Sequence, residues 1–312
     1  MNARIAARLL GLLLLTLAVT LQAQETAPAA TAEAQDPTAA GRTADAVNAA
    51  FAAAGTALLR GPQTLLLRDQ GLLKLPEGYG FVPLAEARRL MEALGNSVNE
   101  QFIGLIVPVG QGDANWMMRL DFDPAGYIKD DDAREWNADD MLESLRKGTA
   151  AGNARRQALG YPGLEVSQWI EPPTWDAANQ RLVWSLEARE IGAAPGSEGT
   201  VNYNTYVLGR EGFFEMNLVT SSAEINRYKP DARTLLAAVS FNEGKRYADF
   251  RPDTDKVATY GLAALVGGVA AKKLGLLAVI GVFLAKFAKI ILFAVLGLGA
   301  LIGKFFGRGK KA

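Results

Sequence analysis

Acids crowd the stretch GYIKDDDAREWNADDMLESLRKGT, Gly126 to Thr149: first Asp130, Asp131, Asp132 and Glu135, then Asp139 and Asp140. Carboxylates at this density can do two kinds of chemistry. A pair at the right separation can act as the acid and base of a hydrolysis of the glycosidase type. The candidates for that work are Asp130, Asp131, Asp132 and Glu135. Several hard oxygens that converge can instead hold Ca²⁺ or Mg²⁺. An EF-hand loop places oxygen ligands at its first, third and fifth positions, glycine at the sixth and a bidentate acid at the twelfth. Counting from Asp121, the third, sixth and twelfth positions are Asp123, Gly126 and Asp132, but the fifth is Ala125 and the closing acid is Asp, not Glu. The residues that would serve a metal are therefore Asp121, Asp123, Asp130 and Asp132. Part of the acid cluster has a structural reading. Asn137 is a good N-cap, and Asp139 and Asp140 then lie where carboxylates meet free N–H groups and the positive end of the helix dipole. The triple aspartate receives no such role from the sequence.

Other chemistry is excluded by absent side chains. The chain has 312 residues with no histidine and no cysteine. That removes a Ser-His-Asp triad, a cysteine nucleophile, a Cys/His zinc site and any disulfide. Its 33 basic and 33 acidic residues balance, which speaks against a nucleic-acid-binding face. Ser144 and Lys147 fit an SxxK pattern, and Ser97-Val-Asn99 an SxN pattern, but in the wrong order and with KGT in place of KTG. GREGFFEMN, from Gly209, lacks P-loop spacing and reads as a hairpin turn. Trp116, Trp136, Trp169, Trp175 and Trp184 could line a ligand platform; core packing accounts for them better.

These residues must be positioned by the elements around them. GPQTLLLRDQGLLKLPEGYGFVP reads as short extended runs, and LAEARRLMEALG as a helix with a glycine stop. FIGLIVPV and WMMRLDFD read as strands. After the acid-led helix come four more: LEVSQWIEPPTW, QRLVWSLEAREIG, TVNYNTYVLG and GFFEMNLVTS. SSAEINRYKPDARTLLAAVSF restores helical spacing. Strands joined by short turns pair antiparallel, so the expected class is α+β, an antiparallel sheet with helices packed on one face, over residues 55–256.

Both ends are apolar. Arg4 and Arg8, the run Leu9–Leu21 and the sequence LQA ending at Ala23 form a signal-peptide pattern over residues 1–23. Residues 24–54 are Ala-, Thr-, Gln- and Pro-rich and predict a flexible linker whose later part can be helical. From residue 257 to 305 the chain is apolar apart from lysines, long enough for a span of about 20 residues. Lys286 and Lys289 interrupt it, so a single crossing, a hairpin and a partly interfacial arrangement all fit. Lys272, Lys273, Lys286, Lys289, Lys304 and Arg308 are the residues expected at the membrane interface, and the basic tail from residue 306 favours the cytoplasmic side. Lys245, Arg246, Arg251 and Lys256 precede the apolar run, either facing lipid head groups or forming a solvated connector.

Four segments together, GYIKDDDAREWNADDML, NYNTYVLGREGF, GKRYADF and TDKVATYGLAALVGGVAAKKLGL, resemble the bacterial DUF2167 family from about Leu65 to the C-terminal apolar helix. The resemblance implies an exported, membrane-anchored protein and supplies no reaction and no catalytic residues. The order of elements is also loosely similar to PsbP-like folds. The expected function is that of a membrane-anchored extracytoplasmic protein of the bacterial inner membrane. Its partners would be the lipid bilayer and a membrane or envelope protein that it binds or scaffolds, with no nucleic acid. No cofactor is expected unless the acids bind Ca²⁺ or Mg²⁺. A carboxylate-based or metal-assisted hydrolase and an auxiliary subunit of a membrane transporter are the alternatives.

Overall fold

The computed structural model describes residues 37–267 apart from residues 95, 97, 135 and 159–161. Strand alternation organises it. In β6 (Met117–Asp123), Met118, Leu120 and Phe122 face one way, while Met117, Arg119 and Asp121 face the other. β9 (Thr200–Leu208) and β10 (Phe213–Ser221) are likewise buried along almost their whole length. Strands buried on both sides need cover on both faces.

These three are the middle of an eight-stranded antiparallel sheet. It runs from β1 (Leu59–Arg60) through β4 (Tyr79–Pro83), β5 (Phe102–Pro108), β6, β10 and β9 to β8 (Arg181–Glu190) and β7 (Leu164–Asp176). One face is covered by a small sheet of β2 (Gln63–Leu67), β3 (Gly71–Leu75) and β11 (Val239–Phe241), together with a helix at Ile225–Ala238. Leu67, Leu73, Tyr228, Leu235 and Leu236 there meet Met118, Leu120, Phe214 and Met216.

The opposite face carries two further clusters. α1 (Pro37–Thr56) and α2 (Leu84–Ala93) bring Val47, Ala50, Leu90 and Met91 onto Phe102, Leu105 and Met117. α3 (Ala138–Ala158) brings Met141, Leu142 and Leu145 onto Leu164, Val166, Leu182 and Trp184. The helix at Ile225–Ala238 is α4. The α+β class with an antiparallel sheet is therefore observed. Helices on one face only is corrected to helices on both, because Phe102, Leu105 and Met117 at one end of the sheet, and Leu164, Val166, Leu182 and Trp184 at the other, give the second face its own apolar patches to cover.

Asn137 caps α3: the N–H groups of Asp139 and Asp140 donate to its Oδ1 at 2.8 and 3.2 Å. Two boundaries shift. The Ala-rich segment is helical from Pro37 and packs through Val47, Ala50 and Ala54. At the other end the folded body continues to Gly267 instead of stopping at residue 256, because Leu262 and Val266 lie in the cluster under α3. No helix among the described residues is long and apolar enough to cross a membrane. Residues 1–36 and 268–312, with the leader and Lys272, Lys273, Lys286, Lys289, Lys304 and Arg308, lie outside the described residues.

Candidate functional site

The aspartate run follows β6. The backbone turns at Gly126, whose φ of +98° is one that side-chain-bearing residues rarely adopt. There the chain forms an isolated bridge with the segment around Val257: the Tyr127 N–H donates to the Lys256 carbonyl, and the Ala258 N–H to the Tyr127 carbonyl, both at 2.8 Å. Three aromatic rings stack on this crossing, with Tyr127 centroids 3.8 Å from Phe250 and 4.4 Å from Tyr247.

The aspartates of the run then have different partners. Asp130 accepts the Trp175 indole N–H at 3.2 Å and lies 3.5 Å from the Tyr247 hydroxyl. Asp131 is exposed at the start of a 3₁₀ turn over residues 131–134. Asp132 reaches across to the exit segment, where its two oxygens accept the N–H groups of Leu262 and Ala263, each at 3.1 Å. These are the first free donors of a helical turn that begins at residue 263, so Asp132 caps it from a distant part of the chain. Burial raises its carboxyl above the ordinary range, against the pull of the two N–H groups. Gly261 makes the approach feasible: a Cβ there would lie 2.3 Å from Asp132 Oδ2.

Asp130 and Asp131 thus line one shallow cleft with Arg134 and Trp175, Asp132 is spent on the segment at Leu262 and Ala263, and Glu135 lies outside the described residues. Asp121 and Asp123 belong to β6, where the Asp121 carboxylate is taken up by Arg119. Among the described residues no group of three or more acids could hold a metal ion. Ser144 donates to the Asp140 carbonyl at 2.9 Å on the exposed side of α3, and Lys147 pairs with Glu143 at 3.4 Å. Trp116 and Trp184 are core residues. At Gly209–Gly212 the chain makes a hairpin turn whose Arg210 grips Asp255 with two bonds of 2.6 Å.

A second cluster escapes the sequence reading. On the face that carries α1, α2 and α3, the three central strands present polar side chains in register. β6 offers Arg119 and Asp121, β10 Glu215 and Asn217, and β9 Asn202, Asn204 and Tyr206. Arg119 holds Asp121 by two bonds of 2.7 Å, and its guanidinium lies 5.0 Å from the Phe102 ring centroid. Burial pushes the Asp121 carboxyl up, and the guanidinium offsets part of that. Asn217 donates to Asn204 Oδ1 at 2.7 Å. The Oδ1 atoms of Asn202 and Asn217 are buried without a hydrogen-bond partner among the described residues.

Glu215 sits between these groups, directly across from Asp121 on one side and Tyr206 on the other. Burial first, then the Asp121 carboxylate, push its pKa up to about 7, while Arg119 and the Tyr206 hydroxyl pull it back. The Tyr206 pKa is itself raised well above 10, chiefly by burial, so its hydroxyl keeps its proton. That hydroxyl lies 3.3 Å from Glu215 Oε1 and 3.3 Å from the carbonyl oxygen of Leu265 in the exit segment. The arrangement can hold a proton near neutral pH and touches Leu265, close to the last described residue.

A family profile described as "Protein of unknown function (DUF2167)" matches residues 60–299. The chain belongs to the DUF2167 family. Both clusters and the exit segment lie within the matched range. Among curated proteins none matches the chain. Among solved structures, the solution structure of cyanobacterial PsbP (CyanoP) from Synechocystis sp. PCC 6803 is 11% identical and covers 60% of this chain and 93% of its own, with a TM-score of 0.34. The Saccharomyces cerevisiae Ran-binding protein Mog1p is 9% identical and covers 57% of this chain and 94% of its own, with a TM-score of 0.32. Overlaps this loose carry nothing about function, and the PsbP-like comparison stays a loose one.

Proposed function

We propose that this protein is an extracytoplasmic domain tethered to the membrane, which binds or scaffolds a membrane or envelope protein. The observation that carries the reading is the junction between body and tail. The chain enters its long apolar run while still part of the core: Leu262 is 0% exposed and Val266 1%. Asp132 caps that segment, Tyr206 touches its Leu265 carbonyl, and Arg210 holds Asp255 just upstream. A domain on a loose string needs no such fastening. A built-in junction instead suits a domain whose surface must be presented to a neighbouring membrane protein.

The sequence supports the rest. A leader pattern at residues 1–23 fits export, and greasy peptide from residue 268 onward is costly to leave in water. The basic tail fits a cytoplasmic C-terminus after one crossing.

The reading is tested in cells expressing the full chain. Protease should spare the body in intact cells and digest it once the outer barrier is opened, while the C-terminus remains protected. Crosslinking in native membranes should join the body to one partner protein or to itself. A body protected in both conditions, or no crosslinked partner, contradicts it.

A further inference from the structure

We propose that a proton on Glu215 fastens the exit segment to the body, so that the junction is held at mildly acidic pH and loosened above neutrality. The inference rests on the junction described above and adds its control. Its basis is a count of hydrogens. The Tyr206 hydroxyl has one proton and two neighbours at 3.3 Å, Glu215 Oε1 and the Leu265 carbonyl oxygen. Both are acceptors when Glu215 is ionised, and the charged carboxylate is the stronger one. The Tyr206 proton then turns to Glu215 and the Leu265 carbonyl loses its donor. When Glu215 carries a proton, it donates to the Tyr206 oxygen, and the Tyr206 hydroxyl is free to donate to Leu265. One proton thus orders a chain of two bonds, Glu215 to Tyr206 to Leu265.

The groups facing Glu215 keep that proton exchangeable near neutrality. From β6, Asp121 and Asp123 repel the ionised form, while Arg119 attracts it but is already committed to Asp121. Tyr206 faces it from β9, and Tyr260 of the exit segment lies close enough to feel its charge. Arg68 acts on Asp121 from the turn between β2 and β3. The asparagines on the same face do not titrate.

Hydrogen exchange of the full chain in detergent tests this, read as protection factors of the Tyr260–Gly267 amides with the intrinsic pH dependence divided out. Protection should fall about fivefold between pH 6 and pH 8, the worth of one hydrogen bond, with a midpoint near 7. Glu215→Gln, whose amide donates at every pH, should keep the low-pH protection throughout. Tyr206→Phe should show the weaker protection at both ends. Protection that does not change with pH, or that changes equally in Glu215→Gln, overturns the proposal. If Glu215→Gln does not fold, Tyr206→Phe decides alone, because undiminished protection at pH 6 excludes the relay. Amides unprotected at every pH in the unaltered chain would instead break the junction reading.

Discussion

Asp132 and Gly261 should behave as one unit, and the structure sets how. Asp132 accepts two N–H groups at 3.1 Å with a half-buried carboxylate. Hydrogen bonds to a charged group contribute about 1.5–3 kcal/mol each, and orphaned donors add to the loss. Part of this is offset because the carboxyl is raised by burial. Asp132→Ala should therefore cost about 2–4 kcal/mol. Gly261→Ala removes no contact, yet its Cβ would lie 2.3 Å from Asp132 Oδ2 and 2.7 Å from Cγ, and the nearest atoms to it are all from Asp132. The aspartate would have to swing away, so this substitution should cost about as much as losing the cap. In the Asp132→Ala background the obstacle is gone, and Gly261→Ala should then cost less than about 0.5 kcal/mol. Urea unfolding of the full chain in detergent, followed by tryptophan fluorescence across the four variants, measures the coupling. Additive costs would refute the capping argument, since they would mean that the two residues act on different parts of the structure.

The remaining predictions concern the second cluster and the crossing at Gly126. Glu215 keeps its proton to about pH 7 when folded and gives it up near the ordinary 4.5 when unfolded, so its contribution is full below pH 4.5 and is lost as pH rises through 7. At 1.36 kcal/mol per unit the loss approaches about 3 kcal/mol, and Glu215→Gln should flatten that part of the urea-midpoint profile. Arg119→Ala leaves Asp121 buried without its partner and should cost about 3–5 kcal/mol in the same unfolding assay. Gly126→Ala meets a φ of +98° and the Lys256 carbonyl oxygen 2.6 Å from the new Cβ, so it should cost at least about 2 kcal/mol and lower the thermal midpoint.

Much of the fold was legible because local rules acted alone. Strands such as FIGLIVPV and GFFEMNLVTS carry their own signature, and Asn137 followed by two aspartates announces a helix start before any packing is known. The role of the triple aspartate was not legible. Asp132 caps residues 130 and 131 positions further along the chain, and spacing carries no record of such a contact. The polar cluster left a trace that could have been read. In MRLDFD, VNYNTY and FEMN, polar residues recur at every second position within strands otherwise apolar on both sides. One such strand is ambiguous, but three that end side by side put Arg119, Asp121, Glu215, Asn217, Asn204 and Tyr206 on one buried face. What the sequence withheld was strand order, since β10 inserts between β6 and β9.

The direct trial of the tethering account is the fate of a chain ended after Gly267. It should leave the membrane fraction as a soluble protein that unfolds in one cooperative step, because Leu262 and Val266 of the core are kept and the greasy stretch after them is removed. A truncated chain that still sediments with membranes would show that the tail is not what holds this protein there.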